Sequence, residues 1–244
     1  MRTSNPALSD GAFRGVGTAY GEPMTISGAV NKTGILLICA VATAIWSWTR
    51  FTTAPDSAMG MLVVGGIGGF VVALVTIFKK EWAPLTAPLY ALLEGLVLGS
   101  ISAMYEVRFH GIAIQAVGLT FGVLFALLVV YRTGLIRATE NFKLGVFAAT
   151  GGIALFYLAQ FALGFFGIRF ASINGSGAIG IGFSLFVVVI ASLNLVLDFD
   201  FIERGAAAQA PKYMEWYAAF GLMVTLVWLY MEILRLMGKL RDRR

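Results

Sequence analysis

Seven stretches of mostly apolar residues, each close to the length of a membrane crossing, follow one another along this 244-residue chain, and the short breaks between them hold nearly all of its charges. A helix needs about 20 apolar residues to cross the hydrocarbon layer, where no water is present and every backbone amide must be satisfied within the segment. The stretches cover residues 33–49, 58–78, 84–105, 111–131, 144–168, 177–197 and 216–237. Overall 59% of the residues are hydrophobic and 13% are charged, whereas a soluble domain carries roughly 25% charged residues. No soluble core absorbs that much apolar surface. The pattern predicts an all-α integral membrane protein, a seven-helix bundle over residues 32–244 behind a mobile polar tail at 1–31.

That tail is rich in Gly, Ser, Thr, Ala and Pro and has no apolar core of the kind a cleavable signal peptide carries. Lys and Arg are more frequent in the N-terminal tail and in the second, fourth and sixth breaks than in the first, third and fifth. This places the N-terminus in the cytoplasm of a cell membrane, the bacterial plasma membrane being the natural one. Seven crossings then carry the basic C-terminus, with Lys239, Arg241, Arg243 and Arg244, to the outer side against the same rule, unless one crossing is re-entrant. The net charge of +5 comes mostly from these membrane-flanking positions, which suits lipid headgroups, and no basic surface interleaved with aromatics points to nucleic acid.

Glycines recur inside the spans at 65, 66, 68, 69, 95, 99, 177, 180 and 182. They read as positions where helices approach closely, since small residues drive helix association in lipid. The single cysteine, Cys39, excludes an intrachain disulfide and a cysteine metal cluster. The one histidine, His110, falls in a break with no nucleophile beside it, so the chain does not read as an enzyme. The seventh span has no lysine for a retinal Schiff base, and the triplets at Asn31 and Asn174 that match the glycosylation pattern carry no assigned role.

Acids within the spans are the functional signal, because a charge at the bilayer centre costs at least ~2.5–3.5 kcal/mol. Glu94 stands about midway in the third span. Asp198 and Asp200 close the sixth, Glu215 opens the seventh, and Glu232 lies near its far end, three residues before Arg235. A short connection between the sixth and seventh spans would bring Asp198, Asp200 and Glu215 to one depth. Carboxylates so placed share a proton that a cation can replace, the chemistry of a pH-gated cation site. Asp198 and Glu215, with Asn194 one turn before Asp198, offer the hard oxygen donors that calcium prefers. Lys79 and Lys80 end the second span on the same side and would close such a site as a latch.

Several of these residues also carry a family resemblance. Met1 to Leu8, the Glu94-Gly-Leu-Val-Leu-Gly99 segment, Tyr131-Arg-Thr-Gly134, and Leu197-Asp-Phe-Asp-Phe-Ile202 followed by Pro211-Lys-Tyr-Met-Glu-Trp-Tyr217 resemble the Bax inhibitor-1 superfamily, in particular its bacterial branch. The resemblance implies six helices around a central seventh and a pH-sensitive calcium leak without a resident cofactor. It also implies two aspartates, one ending the sixth helix and one in the seventh, that sense protons at the pore. The first falls on Asp198. The seventh span has no aspartate, so Glu215 or Glu232 stands in its place, and Glu215 is preferred because Glu232 is some 25 Å further along a helix rising 1.5 Å per residue. The same acids would serve a proton-coupled transporter with Glu94 as a midplane carrier. A membrane stress or quality-control regulator that moves no ion would not need them.

Overall fold

A computed structural model describes residues 22–54, 57–167 and 171–243 of the chain. Its elements are α1 (Ile26–Thr53), α2 (Ser57–Phe78), a 3-10 turn at Lys80–Trp82, α3 (Ala83–Arg108), α4 (Ile112–Arg132), α5 (Glu140–Gly164), the short α6 (Ala171–Asn174), α7 (Ala178–Ala207) and α8 (Met214–Asp242). Seven of these helices are long and apolar enough to cross a membrane. The chain is an all-α multi-span membrane protein, and among the described residues no half-span helix replaces a crossing.

Local chemistry explains where the helices begin. Thr25 caps α1, its hydroxyl accepting from the Gly28 amide at 2.9 Å, which satisfies one of the donors that a helix start leaves open. Thr139 does the same for α5, with Glu140 in the first turn favoured by the helix dipole. Proline at the start of α3 costs no hydrogen bond there. α1 opens at Ile26, so residues 26–31, expected in the polar tail, form its first turns; residues 1–21 lie outside the described residues. Just before α1, the Met24 amide donates to the Ala210 carbonyl at 2.7 Å, and Pro23 bridges Pro211. The approach to α1 is thereby set beside the approach to α8, and the two helices start at one level.

α8 is the axis. In its most apolar stretch 78% of the residues are buried, against 44% in α3 and in α7 and 22% or less in the other spans. It packs on α1, α3, α4 and α7, and α5 reaches it through Tyr157. α2 sits further out, against α3. Phe220 and Tyr217 of α8 are fully buried, and Tyr90 of α3 meets Phe220 edge-on at 4.9 Å.

α1 and α3 make the closest helix pair. A Cβ on Gly95 would collide with the Thr43 side chain and the Ala40 carbonyl, and one on Gly99 with the Ala44 carbonyl, so two glycines a turn apart let the backbones touch. Ser47 donates to the Leu96 carbonyl at 2.7 Å and pairs with Ser100 at 2.6 Å across the same seam. Gly65, Gly68 and Gly69 lie against α3, and Gly180 against the backbone at Gly175. Gly66, Gly177 and Gly182 differ from expectation: they face open space and hold no neighbour.

The largest departure from the sequence reading is at α7, which runs on to Ala207 past its expected end at 197. Its charges do not mark the membrane edge as a helix end, because Asp200 pairs with Arg204 one turn later at 2.8 Å and with Lys143 of α5 at 3.1 Å. At the other end of the bundle Lys239 and Arg241 are held by protein groups. Arg241 donates to the His110 carbonyl and to Gln115 Oε1, both at 2.8 Å, and Asp242 pairs with Arg108.

Gly99→Ala is expected to destabilise the α1–α3 seam by about 1–3 kcal/mol through overpacking. Gly118→Ala, which faces open space, is expected to leave stability unchanged. Thermal unfolding of both variants in detergent checks this, and equal midpoints would refute the close-approach role of Gly99.

Candidate functional site

Glu215 is the second residue of α8, where the helix dipole favours an anion. Its side chain is 0% exposed. The Thr25 amide and hydroxyl donate to Oε1 at 2.8 and 3.0 Å, Lys212 approaches Oε1 at 3.3 Å, and Lys32 forms an ion pair with Oε2. Gly28 makes room for this arrangement, since a Cβ there would collide with the carboxylate. Lys32 also lies over the Trp216 ring, 5.6 Å from its centroid. One carboxylate therefore ties the cap of α1, the body of α1 and the start of α8 into a single unit. Lys212 is exposed outside the span and is also 3.4 Å from Glu22. Its hydrogen bond to Glu215 raises its pKa above the ordinary lysine value. Lys212 therefore keeps its charge through neutral pH and loses it only as pH rises through that raised value, which sets the alkaline limit of the pair.

Asp198 is 1% exposed and shares its face of α7 with the core residues Leu195 and Ile202. Asp200 stands about 200° further round the helix and faces Lys143 and Arg204. Lys143 is itself buried and also pairs with Glu140 at 3.3 Å. Asp200 and Glu203 line an open polar pocket of about 420 Å³ together with Arg132, Arg137 and Tyr131, whose hydroxyl donates to Glu203 at 2.7 Å. Because α7 continues to Ala207, Asp198 lies about 13 Å from that helix end, whereas Glu215 is at the very start of α8. The expectation that Asp198, Asp200 and Glu215 share one depth gives way to a staggered arrangement. Asn194, considered as an oxygen ligand or an interhelical bridge, bridges: its amide donates to Thr150 of α5 at 2.9 Å and to the Ile190 carbonyl at 2.8 Å.

Glu232 lies in the far half of α8 and is 2% exposed. Arg235 donates to it at 2.8 Å and Tyr157 at 3.0 Å, and Arg235 also reaches the Tyr157 hydroxyl at 2.7 Å. One turn beyond Arg235, Lys239 is buried and donates to the Ile173 carbonyl, the Gly180 carbonyl and Ser184 at 2.8, 3.0 and 2.9 Å. Glu94 is half-buried between α2 and α3, close to Gly69 and to Tyr90 one turn earlier. Lys80 lies over the Tyr217 ring at 5.7 Å, and Lys79 is exposed.

The cations that meet Glu215 and Asp200 are thus Lys32, Lys212, Lys143 and Arg204, none of which the sequence reading singled out. Two had a local signal: Lys212 is three residues before Glu215 and Arg204 four after Asp200, both helix-neighbour spacings. Lys32 and Lys143 had none, as they come from other helices. Among the described residues no three His, Cys, Asp or Glu side chains gather as a metal-binding group. The acids are spread along the bundle, and Asp200, Glu215 and Glu232 are each set among protein donors.

Comparison with known families matches residues 5–242 to the family described as Bax inhibitor 1 like. Comparison with curated proteins returned no match at the significance threshold.

Glu215→Ala leaves Lys32 and the α1 cap without their shared acceptor, and is expected to cost about 3 kcal/mol or more. Glu215→Gln keeps an acceptor for Thr25 and is expected to cost less. Detergent unfolding midpoints check the order. In Glu215→Gln, Lys212 is also expected to react faster with an amine-acylating reagent at mildly alkaline pH, read by peptide mass spectrometry.

Proposed function

The chain belongs to the Bax inhibitor 1 like family, and from that footing we propose that it is a pH-sensitive cation leak, with calcium as the ion carried. The observation that carries this reading is the set of three carboxylates, Glu215, Asp198 and Glu232, at 0%, 1% and 2% exposure, arranged at successive depths on α8 and its neighbour α7. An acid buried in a membrane bundle is by default a candidate for an ion or proton path. Carboxylate and carbonyl oxygens suit a hard divalent cation. In this reading the bundle sits in the cell membrane with its N-terminus on the cytoplasmic side.

The ion pairs act as the latch. Lys32 and Lys212 occupy the Glu215 carboxylate and hold the starts of α1 and α8 together, while Lys143 and Arg204 occupy Asp200. These pairs need ionised carboxylates. Protonating Glu215 removes the charge that both ammonium groups bind, so the closed arrangement is favoured at higher pH and weakened as pH falls. Asp198, deeper in the bundle, then offers an oxygen ligand to a passing cation.

Liposomes loaded with a calcium-sensitive dye test this between about pH 4 and about pH 8. Flux is expected to rise with acidity in the wild type. Glu215→Gln, which mimics the protonated form, is expected to leak at the higher pH, and Asp198→Asn to reduce flux throughout. Flux no greater than in protein-free liposomes at every pH, from folded protein, would overturn the leak. Uptake that follows an imposed proton gradient would replace it with proton-coupled transport.

A further inference from the structure

A second feature of the bundle is apolar and opens sideways. α1 and α4 stand on either side of a cavity of about 460 Å³ whose floor is formed by α3 and α8. Val41 and Ile45 on α1, and Ile114 and Val117 on α4, are exposed along its mouth. Met223, Leu226 and Tyr230 of the central helix form the floor. All of these residues lie inside candidate membrane spans, so the mouth opens onto hydrocarbon and not onto water.

We infer that this groove is a binding site for one acyl chain of a bilayer phospholipid, inserted between α1 and α4 until it touches α8. Water is a poor occupant. The hydroxyls lining the groove are already bonded within the protein: Ser102 to Tyr230 at 2.6 Å, Thr120 to the Ala116 carbonyl at 2.8 Å, and Thr49 to the Trp46 carbonyl at 2.8 Å. A water needs two to four polar partners, and besides these engaged hydroxyls the side chains of the lining offer one further polar group, the Trp48 indole N–H. An empty groove would leave its apolar walls without dispersion contacts on one side. An acyl chain is the apolar molecule that the bilayer supplies at this depth. The groove lies in the half of the bundle where α1 ends. There Arg50, in the last turn of α1, is exposed and stacked over Trp46 at 5.7 Å. An arginine and a tryptophan at that level suit the headgroup of the same lipid.

The site touches the axis at the level of one buried acid, since Tyr230 lies two positions before Glu232. Lipid in the groove therefore bears on the packing of α8 whether or not the helix conducts ions.

The test is photolabelling of the full-length protein in lipid nanodiscs. A phospholipid with a diazirine near the end of one chain is used, and adducts are mapped by mass spectrometry. Adducts are expected on Met223, Leu226 and Tyr230, which lipid at the bundle surface does not reach, as well as on the outward-facing Ile38 and Phe70. Val117→Trp, at a lipid-facing position on the mouth, is expected to abolish the floor adducts and keep the outer ones. Labelling confined to outward-facing residues in the wild type would overturn the proposal, as would floor labelling that Val117→Trp leaves intact. A diazirine fatty acid that labels the floor when the phospholipid does not would assign the groove to free fatty acid and also overturn it. The readout is independent of calcium flux, so its failure and that of the leak are distinguishable.

Discussion

The Glu215 carboxylate is the interaction on which the arrangement of the bundle turns. In lipid, apolar side chains gain little by touching one another in place of acyl chains, so helices are held by close backbone contact and by polar groups that have nowhere else to go. Glu215 accepts from the amide and hydroxyl of Thr25, pairs with Lys32 and Lys212, and is shut away from solvent. Its bonds set the start of α8 beside the start of α1. α8 can then run down the centre with α1, α3, α4 and α7 packed around it. The glycine seam between α1 and α3 completes one side of that enclosure.

A common rule governs the charged groups in the bundle: they are placed against partners that neutralise or solvate them. Asp200 meets Lys143 and Arg204, Glu232 meets Arg235 and Tyr157, and Lys239 meets two carbonyls and a hydroxyl. Buried ion pairs add little net stability over apolar packing, but losing one partner strands the other at considerable cost. That asymmetry makes such pairs suitable as latches. A change in protonation at one carboxylate is felt by every element whose cation it held, and at Glu215 those elements are α1, α8 and the connection before α8.

The extended α7 shows how reading charge as a membrane boundary goes astray. Asp198, Asp200, Glu203 and Arg204 look like the end of a span because they break an apolar run. The helix continues because Arg204 answers Asp200 from within the same helix, and because Lys143, from α5, is buried against it. Extending the helix moves Asp198 away from its end and staggers it against Glu215. At the opposite end of the bundle Lys239 and Arg241 are bound by groups of other elements, which their number and sign alone do not reveal.

Apolar length and the absence of water in the bilayer core were enough to determine, from the chain itself, seven helical crossings and the small set of acids that interrupt them. Helix-neighbour spacing marked local pairs such as Glu232 with Arg235, and the small residues at 95 and 99 announced a close contact without naming its partner. Which cation meets which acid was decided only by tertiary structure. Lys32 and Glu215 are 183 positions apart, and Lys143 reaches Asp200 from another helix. Pairing across a bundle depends on the rotation and depth at which helices pack, and hydropathy and periodicity leave both open. The groove between α1 and α4 arises in the same way, from helices that share the central α8 and stand apart where lipid meets them.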